Sequence, residues 1–305
     1  MARSEVDSFL DGVCNAIEAG DGIGAISDLI SGLDATRSRV STDEWRVVVE
    51  QCRNHPLFDV LQEDPYTKRA YTKPRGYAGD AVMMDYVYSG RCPPGASELG
   101  QTVFDGTTRT SNGLSVLHRR ELLAETIDRE AHDNRRPRIL ALACGHLREL
   151  ERARCYREGR AELIAVDQDP ASLEVVRTEY GHANVETRQD SVKRILTEGL
   201  GLEDLDLIYA AGLYDYLGDE AAAALCARSW SALKPGGRLL VGNFAPDSHG
   251  RVYMEVFMDW ILMYRDEKKL KAVVQRISDG DIASQQVTRD PHGNVVYLEM
   301  QKRMR

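Results

Sequence analysis

The chain has 305 residues, 43% of them hydrophobic and 29% charged, with a formal net charge of −9. This is globular composition, long enough for one large domain and a smaller attachment, and its acidic balance argues against nucleic acid or an acidic membrane as the main partner. No stretch reaches the ~20 apolar residues of a membrane span, and the opening MARSEVDSFLDG lacks the long apolar core of a signal peptide.

Residues 3–62 read as helices, with apolar positions at mixed three- and four-residue spacing (Val6, Leu10, Val13, Ile17). Ser41-Thr42-Asp43-Glu44 has the form of an N-terminal cap with early acids. The next stretch, DPYTKRAYTKPRGYAGDAVMMDYVYSG, is polar, aromatic and read as irregular, and RCPPGASELG is broken by its prolines and glycines. The character changes near residue 113, which predicts a helical cap domain over 1–112 and a second domain over 113–305. From Arg138 the pattern alternates strand and helix. RILALAC (138–144), AELIAVD (161–167), NVETRQ (184–189), DLDLIYAAG (204–212) and GRLLVGNF (237–244) are the strands. Helices are expected over about 147–158, over DPASLEVVRTEY and over GDEAAAALCARSWSAL. Near-continuous apolar strands joined by helices predict a parallel sheet covered on both faces. IASQQVTRD and NVVYLEMQK, split by PHG, predict a hairpin that closes the sheet with antiparallel strands, seven strands in all. Met254, Phe257, Trp260, Ile261 and Tyr264 have helical spacing and read as a core or lid-facing stripe. The six cysteines (14, 52, 92, 144, 155, 226) form no CxxC pair, so neither zinc nor a disulfide framework is expected, and reduced thiols in the cytoplasm are.

In an open parallel sheet, ligands bind at the carboxyl ends of the strands, at the switch point. Strand one ends in Ala143-Cys144-Gly145-His146, strand two in Asp167-Gln168-Asp169, strand three in Gln189-Asp190-Ser191, and strand four in Gly212-Leu213-Tyr214-Asp215-Tyr216. Asp167 is placed to accept from a ribose diol and Asp190 from an adenine amino group. A pyrophosphate needs several bare backbone N–H groups, hence several glycines. This turn has Gly145 alone, which disfavours a dinucleotide and suits a nucleoside without phosphates, such as S-adenosylmethionine (SAM). His146 falls near the expected methionyl end, and the Tyr214 and Tyr216 rings are candidates to stabilise a sulfonium by cation–π attraction. Cys144 reads as a small buried side chain rather than a nucleophile. In KPRGYAGD (73–80), Arg75 can hold a carboxylate in a bidentate fork, Gly76 and Gly79 let the chain turn, and Tyr77 reads as a pocket wall. The plainer reading of that segment is a clasp, with Asp80 a helix cap and Arg75 paired with Asp64 or Asp80.

With LACGH, AVDQDP, QDS and LKPGGRLLVGNF in their order, residues 113–305 resemble a class I SAM-dependent methyltransferase. The first turn departs from that family, with Ala-Cys-Gly-His in place of acid-x-Gly-x-Gly. KPRGYAGD, GLYDYL (212–217) and YMEVFMDWILMYRDEKKL (253–270) extend the resemblance to a bacterial subgroup described as methyl ester synthases of extracellular-factor 3-hydroxy fatty acids. The resemblance implies a Rossmann-like α/β fold and methyl transfer from SAM to a small molecule, at a carboxylate or hydroxyl. Arg75, Asp80, Ala143, Gly145, Asp167, Gln168, Asp190, Ser191 and Gly212 are then the candidate cofactor residues. Tyr77, Tyr214 and His146 are the candidate catalytic ones. A carboxylate acceptor needs no general base, whereas for a hydroxyl the candidates are His146, Asp215 and His249. The alternative is a cyclase that uses SAM alone, making azetidine-2-carboxylate and methylthioadenosine. An NAD-dependent oxidoreductase is disfavoured by the missing glycines, and a SAM-binding regulator by the lack of a basic DNA-reading helix.

Overall fold

The computed structural model describes residues 3–133, 136–181 and 184–304. The chain divides into two compact units, residues 1–117 with 247–261, and residues 118–246 with 262–305.

The first unit is helical. α1 (Arg3–Glu18), α2 (Gly22–Arg37), α3 (Thr42–Asn54) and α4 (Pro56–Gln62) occupy the stretch expected to be helical. Val6, Leu10, Val13 and Ile17 are all buried, as one apolar helix face requires. α3 opens on a capping box in which Ser41 Oγ accepts from the Glu44 N–H and the Glu44 carboxylate accepts from the Ser41 N–H. The aromatic stretch that follows is not irregular throughout, because α5 (Pro65–Thr72) and α6 (Ala81–Ser89) form in it. Each begins at an aspartate, Asp64 or Asp80, whose side chain accepts from the first-turn N–H groups. Only 73–80 remains a loop between them. α7 (Glu98–Thr108) lies against α2 through glycines: a Cβ on Gly22 would stand 1.9 Å from the Thr102 carbonyl oxygen. Residues Arg251–Phe257 add a short helix whose Val252, Tyr253, Met254, Val256 and Phe257 are buried. The longer stripe expected through Tyr264 stops there, since Asp259 takes a φ of +46° and Ile261 is 69% exposed.

The second unit begins within α8 (Ser111–Asp133) and contains the sheet. Its strands are β1 (Arg138–Leu142), β2 (Glu162–Asp167), β3 (Val185–Gln189), β4 (Leu205–Ala210), β5 (Leu233–Phe244), β6 (Ile282–Arg289) and β7 (Val295–Lys302), in the order β3-β2-β1-β4-β5-β7-β6. The first five are parallel, and β7 runs antiparallel to both β5 and β6. This is the mixed, Rossmann-like sheet expected from the sequence. α9 (Arg154–Arg157), α10 (Pro170–Tyr180), α11 (Val192–Glu198) and α12 (Asp219–Ala232) provide the connections. The single helix expected over 147–158 is instead a 3-10 turn, Arg148–Glu151, followed by the one-turn α9. Leu147 enters the turn at a φ of +56°, which a regular α-helix cannot include. Strand order reverses beside β1, whose neighbours are β2 and β4, so the switch point lies at the carboxyl ends of β1 and β4. Among the described residues no helix is long and apolar enough to cross a membrane.

Candidate functional site

The turn after β1 is built on alternating left-handed residues: Ala143, Gly145 and Leu147 have φ of +51°, +54° and +56°. Two of these are not glycine, and such a conformation costs roughly 1–2 kcal/mol per residue, so the surroundings must hold it. They do so from β2. The Cys144 N–H donates to the Val166 carbonyl (3.1 Å) and the Gly145 N–H to Asp167 Oδ2 (2.8 Å). Asp167 Oδ1 accepts from the Asp169 N–H at 2.9 Å. One carboxylate thus fastens the first two loops together at the switch point. Burial raises the Asp167 pKa above its ordinary value, against the lowering effect of the Asp169 and Gly145 N–H groups.

Asp190 joins the same group through its backbone, its N–H donating to the Asp167 carbonyl at 3.0 Å. Its side chain accepts from the Ser191 N–H at 2.8 Å, and Ser191 Oγ caps α11 by accepting from the Arg194 N–H. The Gln168 side chain is exposed, and its carbonyl accepts from Gln189 Nε2 at 3.3 Å. Ala143 is exposed and His146 is buried. The structure therefore brings Gly145, Asp167 and Asp190 together, with Ala143, His146, Gln168 and Ser191 beside them in the chain. Burial pushes the Cys144 thiol well above its ordinary pKa, with Asp167 and Glu149 adding to the effect, so it is no thiolate nucleophile.

Of a buried polar cluster at the ends of β1 and β4, the sequence singled out Asp215 alone. The Tyr209 hydroxyl donates to Glu149 Oε1 at 2.5 Å, and Arg119 Nη1 donates to the Ala211 carbonyl at 3.1 Å. Burial raises the Glu149 pKa, while the Tyr209 hydrogen bond and the Arg119 and Arg120 charges oppose it. Asp215 is 3% exposed; its Oδ1 accepts from Asn243 Nδ2 (2.9 Å) and from the Phe244 N–H (2.7 Å). Burial pushes its carboxyl up to about 7, against the Phe244 N–H, Arg119 and Arg265. Arg265, itself 1% exposed, fixes the loop after β4 by donating to the Tyr214 and Leu217 carbonyls. A signal for Arg119 and Arg120 was present: they fall on the α8 face that buries Val116, Leu123, Ala124 and Ile127.

Tyr214 is not on an open strand exit. β4 ends at Ala210, and Tyr214–Tyr216 form a 3-10 turn that folds Tyr214 into the core with Leu140, Ile208, Leu225 and Cys226. Tyr214 is wholly buried and Tyr216 is 42% exposed, so the two rings do not share a side of the crevice, and Tyr214 is a packing residue.

Arg75, Tyr77 and Asp80 belong to the first unit. Lys73, Gly76 and Gly79 have φ of +48°, +87° and +77°, which makes KPRGYAGD a tight loop. Arg75 and Tyr77 are half-buried in it. Asp80 caps α6 by accepting from the Met83 N–H (3.0 Å) and is held by Arg69, whose Nε lies 2.8 and 2.9 Å from its two oxygens. Arg69 thus clasps Asp80, a role that the sequence reading had not given it. Asp64, the other expected partner, accepts from Tyr66, Thr67 and Thr107.

Two loops are thus fastened at the switch point of the sheet, the first of them carrying a single glycine, Gly145. Residues 139–237 match a family model described as a methyltransferase domain. That segment runs from β1 into β5 and contains the turn, Asp167, Asp190 and Gly212. Two solved structures share the fold over nearly the whole chain. One is a possible exported protein from Bordetella parapertussis, 14% identical, covering 99% of this chain and 99% of its own, with a TM-score of 0.62. The other is the apo form of SibL, an S-adenosylmethionine-dependent methyltransferase, 15% identical, covering 98% of this chain and 97% of its own, with a TM-score of 0.51. At these identities the likeness is one of fold. No curated protein matches the chain.

Proposed function

We propose that the protein is a SAM-dependent methyltransferase acting on a small molecule, at a carboxylate or hydroxyl oxygen of a fatty-acid-like or natural-product acceptor. The observation that carries this reading is the Asp167 carboxylate, buried at the end of β2 and bonded to Gly145 of the β1 turn. Oδ2 accepts from the Gly145 N–H and Oδ1 from the Asp169 N–H, and a carboxylate has about four acceptor positions in all. Asp167 therefore fits a ribose diol, and Asp190 beside it fits an adenine amine. The lone turn glycine fits a nucleoside better than a pyrophosphate.

SAM supplies an electrophilic methyl group on a sulfonium. The chain's part is to bind, orient and exclude water. Gly145 admits the ligand close to the backbone, and Asp167 holds the ribose. A carboxylate acceptor arrives ionised and needs no base; for a hydroxyl, His146 at the first turn is the candidate to take the proton. Arg75 is retained as a group for an acceptor carboxylate and Tyr77 as an aromatic wall, on the polar character of their loop. A cytoplasmic setting is supported by the six free cysteines.

The test is mass spectrometry of SAM with the protein, alone and with 3-hydroxy and unsubstituted fatty acids. S-adenosylhomocysteine together with an O-methylated acid is the expected result. Methylthioadenosine from SAM alone would overturn the reading in favour of intramolecular cyclisation. Tighter calorimetric binding of NAD than of S-adenosylhomocysteine would overturn the cofactor assignment.

A further inference from the structure

Within the helical unit, two residues that are not glycine take the left-handed conformation and are paired with each other. Lys73, at a φ of +48°, ends α5, and Asp259, at +46°, lies two residues beyond the short helix Arg251–Phe257. Lys73 Nζ pairs with Asp259 Oδ2, and Arg53 Nη2 donates to Asp259 Oδ1 at 3.1 Å. Arg53 also donates to the Glu255 and Val256 carbonyls, and Gln62 Nε2 to the Phe257 carbonyl at 3.0 Å, so the segment that carries Asp259 is itself held. Burial acts to raise the Asp259 pKa, but Lys73 and Arg53 outweigh it and hold the carboxyl below its ordinary value.

Stability does not account for this pairing. The Lys73 side chain is 31% exposed and that of Asp259 39%, and ion pairs so open to solvent contribute little. The left-handed conformation costs a residue with a Cβ more than such a pair contributes, and glycine avoids the cost. Lys73 stands at the end of a helix, where glycine is the usual left-handed residue. Strain kept where glycine would remove it points to a functional constraint. What the pair does supply is a fixed origin for the loop 73–80. The far end of that loop is fixed separately, by Asp80, which caps α6 and is clasped by Arg69. Between the two ends the Gly76 N–H donates to the Lys73 carbonyl at 2.8 Å, while a Cβ on Gly76 would meet nothing within 4 Å. The course of the loop is therefore set from its ends rather than by packing at Gly76.

We propose that Lys73 and Asp259 form a latch that positions the loop 73–80, and with it Arg75 and Tyr77, for the acceptor. Asp259 is a positioning residue, acting through Lys73. The proposal rests on the reading above, in which Arg75 takes an acceptor carboxylate. A guanidinium makes two parallel charge-assisted bonds only when its plane meets the carboxylate correctly, so a displaced loop origin passes directly to Arg75, two residues on. Cofactor binding should not feel it, because Gly145, Asp167 and Asp190 belong to the other unit.

Asp259→Gly and Lys73→Gly each break the latch and relieve the strain, so they separate the two effects. Both should keep Tm at or above the wild-type value. Trypsin gives a reading without ligand: the bond before Pro74 resists it, which leaves Arg75-Gly76 as the susceptible bond in the loop. Cleavage of the native full chain after Arg75, followed by mass spectrometry of the fragments, should be faster in both variants than in wild type. With SAM and 3-hydroxydecanoic acid, kcat/KM should fall about 10–100-fold through the KM for the acid, while calorimetric affinity for S-adenosylhomocysteine stays unchanged. Asp259→Asn keeps an acceptor in a residue that tolerates the left-handed region and should lie between wild type and Asp259→Gly. An unchanged cleavage rate, or a clear fall in Tm, would overturn the latch in favour of a structural cap. Faster cleavage with an unchanged KM for the acid would overturn its role toward the acceptor. A wild type that methylates no acid would instead overturn the proposed function, and the cleavage rates would still decide whether the latch exists.

Discussion

Asp167→Ala removes the carboxylate that joins the β1 and β2 loops, and its effect can be worked out from two bonds. The Gly145 and Asp169 N–H groups lose their acceptors. A buried donor left unsatisfied costs about 1–3 kcal/mol. Part of this is recovered, because burial already disfavours the charged form of Asp167. A net loss of about 2–3 kcal/mol follows, and at roughly 2–4 °C per kcal/mol for a domain of this size Tm should fall by about 4–12 °C. Binding of S-adenosylhomocysteine loses the ribose hydrogen bonds as well, a further fall of about 10–100-fold for bonds to a charged group. Thermal unfolding without ligand and calorimetry with S-adenosylhomocysteine measure the two effects separately. Asp167→Asn keeps one acceptor and turns an amide donor toward the other N–H, so its Tm should lie between those of wild type and Asp167→Ala. An Asp167→Ala protein with wild-type Tm and wild-type affinity would refute both the fastening and the ribose role.

The Asp215 carboxyl, pushed up to about 7 by burial, holds a proton in the folded state that the unfolded chain releases near pH ~4. Its contribution to stability is full below that value and is lost as pH rises through about 7, at about 1.4 kcal/mol per unit. Urea unfolding from about pH 4.5 to 7.5 should show this decline in wild type and a shallower one in Asp215→Asn; parallel curves would contradict it. Arg69→Ala strands the buried Asp80 carboxylate and should destabilise by about 3 kcal/mol, whereas Arg75→Lys should leave the ligand-free Tm near wild type while lowering activity. If the two variants melted alike, the clasp would be misassigned. Ala143→Gly removes a side chain from a left-handed position and should leave stability unchanged or raise it by up to about 1 kcal/mol, read as an equal or higher Tm; a clear fall would mean that the Ala143 methyl packs where the structure leaves it exposed.

The sheet was readable because burial on both faces writes each strand as an apolar run, and the ends of those runs place Asp167, Asp190 and Gly212 without further information. The hairpin was readable from PHG between two alternating segments, and there the Asp290 carboxylate gathers the His292, Asn294 and Val295 N–H groups. Tyr214 was misread because a residue just past a strand inherits the strand's alternation only if the chain keeps going straight, and here it turns at Leu213. Arg119 was missed for a related reason. Arginine in a helix reads as a solvated face, and only the register with Val116 and Leu123 shows that it points inward. α5 and α6 were hidden by their aromatic and polar content, although Asp64-Pro65 and Asp80-Ala81 carried the cap signals.

Residues 247–261 leave the sheet after β5 and belong to the helical unit. There Tyr253 shares a hydrogen bond with Thr67 at 2.9 Å, and Arg53 donates to the Val256 and Glu255 carbonyls. During synthesis, then, the first seven helices emerge long before the piece that completes them. At about 5–20 residues per second the delay is on the order of ten seconds, with the apolar slot for Val252, Tyr253, Met254 and Phe257 open throughout. The first unit, begun first, cannot close until most of the second has been made. The same threading means that no single cut separates the two units: a fragment ending at residue 117 lacks its closing helix, and one starting at residue 118 carries that helix with its apolar face uncovered.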